Sequence, residues 1–587
     1  MKYTLNKPVG TEQKNAGFGS LKRLGPLLVK EKRELAIAFV GILLNSGATL
    51  ATPVIIGYAV DHFIQTGNYR GVVLSALLLL AISIVGLFAS YTQTMRMGGV
   101  GRRVLYNLRN EIFVKLQELP VAFFNQNKVG DLISRINNDT DRLSQFFAQA
   151  LMQFVGNFFI IVGAAIFLLV LNVRLGGAAL LPALGVLIVT QLLSAWVRRK
   201  NRENLETVGG MSAEIQESLG NFKVIVAFNR LDYFRAKFNE VNEKNFKTAI
   251  AAGIANNIFT PLYTLASTLG QLIVVAYGIV LIERGNVTIG LLVGFLLYVN
   301  NFYMPLRQIA SIWATFQQSL AALDRISEVL VLSSDMDTIP ANASPEDTNA
   351  VISFKNVSFA YPEEKEVLQH VTFTLLHGKT YALVGPTGGG KTTTASLMAR
   401  LYDPTAGTIE LDGRDIRSYS TEDRAQKIGF ILQEPFLFSG SLLDNLFYGH
   451  PDFATSTKEE RMAALKATGL DALLTHFEKD LETPVQTSGD SISLGQRQLV
   501  AFVRAVLRKP EILILDEATA NIDTVTEQLL EKALAKLPAS TTKIIIAHRL
   551  NTIENADEIF FVNNMEVAPA GSLEHAVEML MHGKRET

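Results

Sequence analysis

Gly385, Pro386, Thr387, Gly388, Gly389, Gly390, Lys391 and Thr392 stand between an apolar run, Tyr381 to Val384, and a helical pattern from Thr393 to Leu401. Glycines at this spacing let the main chain curl until its N–H groups and the start of the helix face a phosphate. In that geometry Lys391 reaches the β- and γ-phosphates of a nucleoside triphosphate, and the Thr392 hydroxyl can ligate Mg2+. A glycine-rich turn arising by chance has no reason to be matched to a strand on one side and a helix on the other. Farther along, the apolar run Ile512 to Leu515 ends in Asp516 and Glu517. Adjacent carboxylates at a strand end point in different directions and suit two tasks. Asp516 would hold Mg2+ through water, while Glu517 would polarise a water for in-line displacement at the γ-phosphate. Without the glycine-rich loop the same pair would read as a helix cap. His548 follows the run Ile544 to Ala547, where an imidazole can reach a γ-phosphate or hold the attacking water.

Such groups need a sheet to carry them. Short β-type runs at Val351 to Phe359, Lys379 to Val384, Ile428 to Leu432, Ile512 to Leu515, Thr542 to Ile546 and Glu558 to Val562 alternate with helical stretches. That alternation predicts an α/β domain, residues 351–587, with a largely parallel core sheet. A chain of 587 residues is too long for one core. With 48% hydrophobic and 19% charged residues, it fits neither disorder nor an ordinary soluble enzyme and points to a membrane-embedded portion. Lys and Arg number 54 against 55 Asp and Glu, so no basic excess suggests a nucleic-acid partner. The absence of cysteine excludes disulfides, thiolate metal sites and cysteine nucleophiles.

The membrane portion is read from apolar stretches of roughly 20 residues or more. They run from Leu35 to Val60, Gly71 to Met95, Leu143 to Val173, Leu175 to Val197, Thr248 to Ile282 and Gly285 to Leu306. Residues 1–34 are basic and polar, a cytoplasmic segment with an elbow helix, and 35–332 form a six-helix transmembrane domain. The connections between the first and second, third and fourth, and fifth and sixth spans are short outside turns. The other two, Arg96 to Arg142 and Arg198 to Lys247, are long and rich in Arg and Lys. The positive-inside rule places both, and both termini, in the cytoplasm. Helical periodicity continues through each, with interruptions near Pro120 to Gly130 and Gly220 to Asn229. The apolar tips there, Phe123 and Phe124 in one and Val226 and Phe228 in the other, want a surface to bury them. Residues 333–350, rich in Ser, Asp, Pro, Asn and Ala, form a linker.

Together these residues resemble a half-transporter of the ATP-binding cassette superfamily, exporter type, over almost the whole chain. The family's signature is matched by Ile492-Ser493-Leu494-Gly495-Gln496, its glutamine loop by Gln433, and its D-loop by Ala520-Asn521-Ile522-Asp523. His548 matches its switch histidine and Tyr361 its aromatic A-loop residue. The resemblance implies that Tyr361 stacks on adenine and that Gly385 to Thr393 bind ATP. It implies catalytic roles for Glu517, His548 and Gln433, and Mg2+ held by Thr392, Gln433 and Asp516. Ser493, Gly495 and Gln496 would meet ATP bound to the opposite protomer, and Phe123, Phe124, Val226 and Phe228 would sit on coupling helices. ATP sandwiched between two cassettes draws them together, and hydrolysis releases them.

Three departures stand out. Leu494 occupies a signature position where the family usually has glycine, Gln486, Thr487 and Ser488 replace a usual glycine, glutamate and arginine, and Ala520 replaces a serine. They resemble one subunit of a heterodimeric exporter that keeps the catalytic glutamate; a homodimer with neutral drift is the alternative. The expected function is ATP-driven outward movement of a hydrophobic or amphipathic substrate across a plasma (inner) membrane. An ATP-gated channel and a regulatory membrane ATPase are the competing readings. Tyr263, Gln271, Tyr277, Tyr298, Asn300, Asn301 and Phe302 could line a cavity or pack helices.

Overall fold

The computed structural model describes residues 3–5, 25, 29–340, 349–362, 365–433, 435–453, 455–474, 481–482, 484–485, 492–516, 524–546 and 556–582. They form two compact units, one of Leu5–Glu118 and Asn127–Leu332, the other of Met1–Thr4, Leu119–Gln126 and Ser333–Thr587.

The first unit consists of long helices, Lys32–Ile64, Tyr69–Glu118, Val129–Leu171, Val173–Gly220, Leu231–Glu283 and Ile289–Val331, each long and apolar enough to cross a membrane. Tyr69–Glu118 has 50 residues, about 75 Å at 1.5 Å per residue. A hydrocarbon core is about 30 Å thick, so more than half of this helix is extramembrane. The short turns are made by side chains. Asn172 Oδ1 accepts from the N–H groups of Arg174 at 3.1 Å and Leu175 at 3.0 Å, capping the fourth span. Asp61 accepts from the Gly290 N–H at 2.7 Å and from the Thr288 hydroxyl at 2.5 Å, latching the first span to the start of the sixth.

Pro53 lies inside the first helix. Having no N–H, it leaves the Thr49 carbonyl without its usual intrahelical donor. Asn301 Nδ2 donates to that oxygen at 3.3 Å, and the Tyr298 hydroxyl donates to Leu50 O at 2.5 Å. Near Pro182 the Tyr303 hydroxyl donates to Ala179 O at 2.9 Å. Tyr263, Tyr298 and Phe302 are buried in the apolar cluster of this unit, and Tyr277 packs on it. Helix packing therefore accounts for these candidate cavity residues, while Gln271 Nε2 donates to Asn300 Oδ1 at 3.0 Å.

A knot of charge lies at the base of the third span. The Arg135 guanidinium, 1% exposed, meets Asp131 at 2.9 Å and Glu328 at 2.9 Å and donates to the Arg325 carbonyl. Arg325 in turn contacts Asp131 at 2.5 Å and Asp139 at 3.2 Å. This helix makes π-helical turns at Arg135–Asp139 and Phe146–Ala150.

In the second unit the central sheet runs in the order Glu566–Pro569, Glu558–Asn563, Thr380–Val384, Thr542–Ile546, Ile512–Asp516, Ile428–Ile431. All neighbours are parallel except the edge strand Glu566–Pro569. Ile512–Asp516 is buried at every residue, as a parallel strand covered on both faces must be. The run Val351 to Phe359 departs from expectation. It lies in Ala350–Ala360, inside a separate antiparallel sheet with Glu366–Leu376 and Ala406–Leu411. Its exposed Lys355 and Asn356 show why: this strand has a wet side, which a parallel core strand lacks.

Candidate nucleotide-binding site

The sheet brings the chemistry-bearing residues to the carboxyl ends of its parallel strands, where open α/β sheets place their ligands. Strand Thr380–Val384 delivers the glycine-rich loop, and helix Lys391–Met398 leaves it with Gly390 as N-cap. A Cβ on Gly385 would stand 2.1 Å from the Val562 carbonyl oxygen, and one on Gly389 would stand 2.7 Å from it. The loop is thus pressed against the neighbouring strand Glu558–Asn563, and only residues without a side chain fit. Lys391, 5% exposed, donates from Nζ to the carbonyls of Gly385 at 2.9 Å and Pro386 at 3.0 Å. Its ammonium is therefore held over the loop. Thr392 Oγ1 donates to Asp516 Oδ1 at 3.4 Å, so a hydroxyl from the start of a helix and a carboxylate from a strand end converge. Buried to 5% exposure, Asp516 is an oxygen donor of the hard kind that Mg2+ prefers. The donor set fits that ion.

Beside the loop, Tyr361 shares a hydrogen bond with Thr393 Oγ1 at 3.0 Å, which fixes its ring next to the start of the helix. Its ring meets Tyr402 edge-on at 5.3 Å and Phe359 at 4.9 Å. Burial pushes the Tyr402 phenol above its ordinary value, although a hydrogen bond from Asn125 opposes that shift. Tyr402 and Val562 carry part of the site's architecture and were not singled out from sequence. Tyr402 offered a signal, an aromatic residue just past the phosphate-loop helix. Val562 contributes only its main chain and left none.

Gln433 is exposed in the segment after Ile428–Ile431. Next to it lies an apolar groove of about 260 Å3, lined by Ile428, Phe430, Pro435, Phe436, Ala501 and Arg504 among others. Arg504 donates to Asn445 O at 2.7 Å and lies over the Tyr448 ring at 5.5 Å. Ser493 caps helix Leu494–Leu507 reciprocally with Gln496: its hydroxyl accepts from the Gln496 N–H at 3.2 Å, and its own N–H donates to Gln496 Oε1 at 3.1 Å. Leu494 takes the first helical position, where side chains are tolerated, and Gly495 is buried behind it. Phe123 is fully buried and Phe124 40% exposed, whereas Val226 and Phe228 are 49% and 74% exposed. Glu517, Ala520 to Asp523, His548 and Gln486 to Ser488 lie outside the described residues.

Comparison with known proteins agrees with this architecture. Residues 35–306 match the ABC transporter transmembrane region and residues 368–520 the ABC transporter family. An uncharacterized ABC transporter ATP-binding protein of Bacillus subtilis, YfiC, is 33% identical over 94% of this chain and 91% of its own length. A multidrug resistance ABC transporter ATP-binding and permease protein of Lactococcus lactis is 29% identical over 94% and 93%. A fatty acid ABC transporter ATP-binding/permease protein of Mycobacterium bovis is 29% identical over 86% and 80%. The chain belongs to the ATP-binding cassette transporter family. It is a multi-pass membrane protein of the exporter half-transporter type, and its cassette is an ATP hydrolase coupled to transport.

Proposed function

We propose that this protein exports a hydrophobic or amphipathic substrate from the cytoplasmic side of a plasma (inner) membrane by alternating access, with both termini cytoplasmic. The observation that carries the reading is the convergence of Lys391, Thr392 and Asp516 at the carboxyl ends of Thr380–Val384 and Ile512–Asp516, the two strands that flank Thr542–Ile546 in one sheet, in a chain with six membrane-length helices. The multidrug and fatty acid transport named for relatives supports a hydrophobic cargo. So does the near absence of charge within the apolar stretches, where ionisable residues would mark a pathway for charged solutes.

In this reading Tyr361 receives the adenine, the loop from Gly385 to Thr393 wraps the phosphates, and Lys391 turns from the loop carbonyls to the γ-phosphate. Mg2+, held by Thr392, Asp516 and Gln433, neutralises phosphate charge when bound. Glu517 orients and deprotonates the attacking water, and His548 holds the γ-phosphate. Ser493, Gly495 and Gln496 of a second cassette close the site, with Asp523 at the cassette interface. The second coupling tip, Val226 and Phe228, presents an exposed apolar face for a cassette to bury. The partner is a second half-transporter, and the bulk of Leu494 favours a heterodimer in which this chain supplies Glu517. Residues 35–332 would be the transmembrane domain, 333–350 the linker and 351–587 the cassette.

Inside-out vesicles carrying the protein test the export reading. They should accumulate a fluorescent amphipathic dye when given ATP, and Glu517→Gln should abolish it; ATP hydrolysis without accumulation of any of a panel of such dyes would favour a regulatory ATPase. Particle mass measured on the chain expressed alone tests the partner. An active homodimer would refute the heterodimer.

A further inference from the structure

Tyr3 is 1% exposed. Its ring packs edge-on against Phe123 with centroids 6.4 Å apart. Its N–H donates to Gln126 Oε1 at 2.8 Å, and its hydroxyl donates to the Asp335 carboxylate while accepting from the Asp335 N–H at 2.9 Å. Thr4 Oγ1 adds a contact to Gln126 Oε1 at 3.4 Å. Tyr3 therefore joins helix Val121–Gln126, the first hairpin tip, to the segment that leads into the cassette.

The far side of the same helix makes a different connection. Asn125 Nδ2 donates to the Tyr402 hydroxyl at 2.6 Å, and Tyr402 abuts Tyr361. Between these two attachments lies a cavity of about 440 Å3, lined by Tyr3, Ala122, Asp335, Phe359, Tyr402 and Pro404 among others. A helix of 6 residues that borders a void and buries one side chain, Phe123, depends on its pins for the rest of its hold. Loosening one pin lets the other drift.

We propose that Tyr3 is a positioning residue for nucleotide coupling: it clips helix Val121–Gln126 to Asp335, and so holds Asn125 on Tyr402, through which occupation of the Tyr361 face reaches the hairpin. This rests on the assignment of adenine to Tyr361. The clip acts on what the hairpin feels, and nucleotide affinity does not depend on it.

The test uses the full chain in nanodiscs. Because the sequence has no cysteine, Val121→Cys, at a site 40% exposed, gives a unique attachment point for a bimane fluorophore. A non-hydrolysable ATP analogue should shift the bimane emission. Tyr3→Ala should lose at least half of that shift while binding trinitrophenyl-ATP within twofold of the parent. Tyr3→Phe, which keeps the ring and loses the hydroxyl, should fall between. Adding Asn125→Ala to Tyr3→Ala should cost little more, since both act through one helix. A full response in Tyr3→Ala, additive losses in the double variant, or a parallel loss of nucleotide affinity that marks Tyr3 as general packing, would each overturn the proposal. Tyr361→Ala separates the underlying reading: if it binds nucleotide normally, the adenine assignment fails whatever Tyr3 does.

Discussion

Gly385 and Gly388 belong to one loop, but the structure gives them different reasons to be glycine, and alanine substitutions should tell them apart. Both have positive φ, +153° at Gly385 and +80° at Gly388. At Gly388 an added Cβ meets nothing within 4 Å. The cost there is conformational alone, about 1–2 kcal/mol for a left-handed alanine. At Gly385 the alanine has a conformation open essentially to glycine alone, about 1–3 kcal/mol, and its Cβ would stand 2.1 Å from Val562 O. Main chain cannot rotate away as a side chain can. Relief requires strand Glu558–Asn563 to move at Val562, next to the pairing of Phe561 with Val384. Losing two ladder hydrogen bonds adds about 1–3 kcal/mol at about 0.5–1.5 each. The sum is about 2–6 kcal/mol, with a middle near 4. If the loop escapes by leaving its binding conformation, nucleotide must restore it, and apparent affinity falls by the population lost. We expect Gly388→Ala to weaken a fluorescent ATP analogue roughly five- to thirtyfold and Gly385→Ala on the order of a thousandfold. Equilibrium titration of the full-length protein in nanodiscs, with size-exclusion profiles confirming intact particles, measures both. Equal losses, or a milder loss for Gly385→Ala, would refute the reasoning from Val562.

Three further outcomes follow from other parts of the molecule. Thr392→Ala and Asp516→Asn should each lower Mg2+-dependent ATP hydrolysis on the order of a hundredfold; a loss below threefold in phosphate-release assays would separate this hydroxyl and carboxylate from the metal. Arg135→Met leaves Asp131 and Glu328 without their shared partner. Because both carboxylates are about one-third exposed and can be hydrated, destabilisation should sit at the lower end of about 3–5 kcal/mol, seen as a lower midpoint of irreversible thermal aggregation. An unchanged midpoint would mean that the knot contributes no net stability. Phe228→Ser, at a residue 74% exposed, should leave expression and nucleotide binding intact while ATP-driven dye accumulation falls at least fivefold. Normal accumulation would remove this tip from the coupling pathway.

The glycine-rich loop and its flanking strand and helix were legible because their chemistry fixes residue type and spacing together. The membrane helices were legible because a bilayer demands long uncharged runs. Other features were not. Glu366–Leu376 alternates buried and exposed residues and carries Gln369, His370 and Thr372 on its wet side, so hydrophobic runs did not reveal it. The antiparallel sheet containing it was consequently merged with the parallel one. Tyr298 and Asn301 looked suited to a cavity because nothing in the local sequence connects them to Pro53. Only the folded chain shows that they serve the main chain around that proline, some 250 residues away. Tyr3 carried no pattern at all, since a lone tyrosine in a basic tail looks like any solvated residue. Its partners at Gln126 and Asp335 are separated from it by more than a hundred positions.

The two limbs that meet at helix Val121–Gln126 differ mechanically. Tyr69–Glu118 is α-helical over all of its 50 residues, a stiff rod. The returning limb is interrupted by π-helical turns at Arg135–Asp139 and Phe146–Ala150, where the i→i−4 ladder is broken and bending is easier. A fork with one rigid and one compliant tine does not translate a push at its tip into straight sliding. It should flex toward the compliant side, and the ion knot around Arg135, seated on the first of those soft turns, ties that side to Glu328 and Arg325 of the sixth helix.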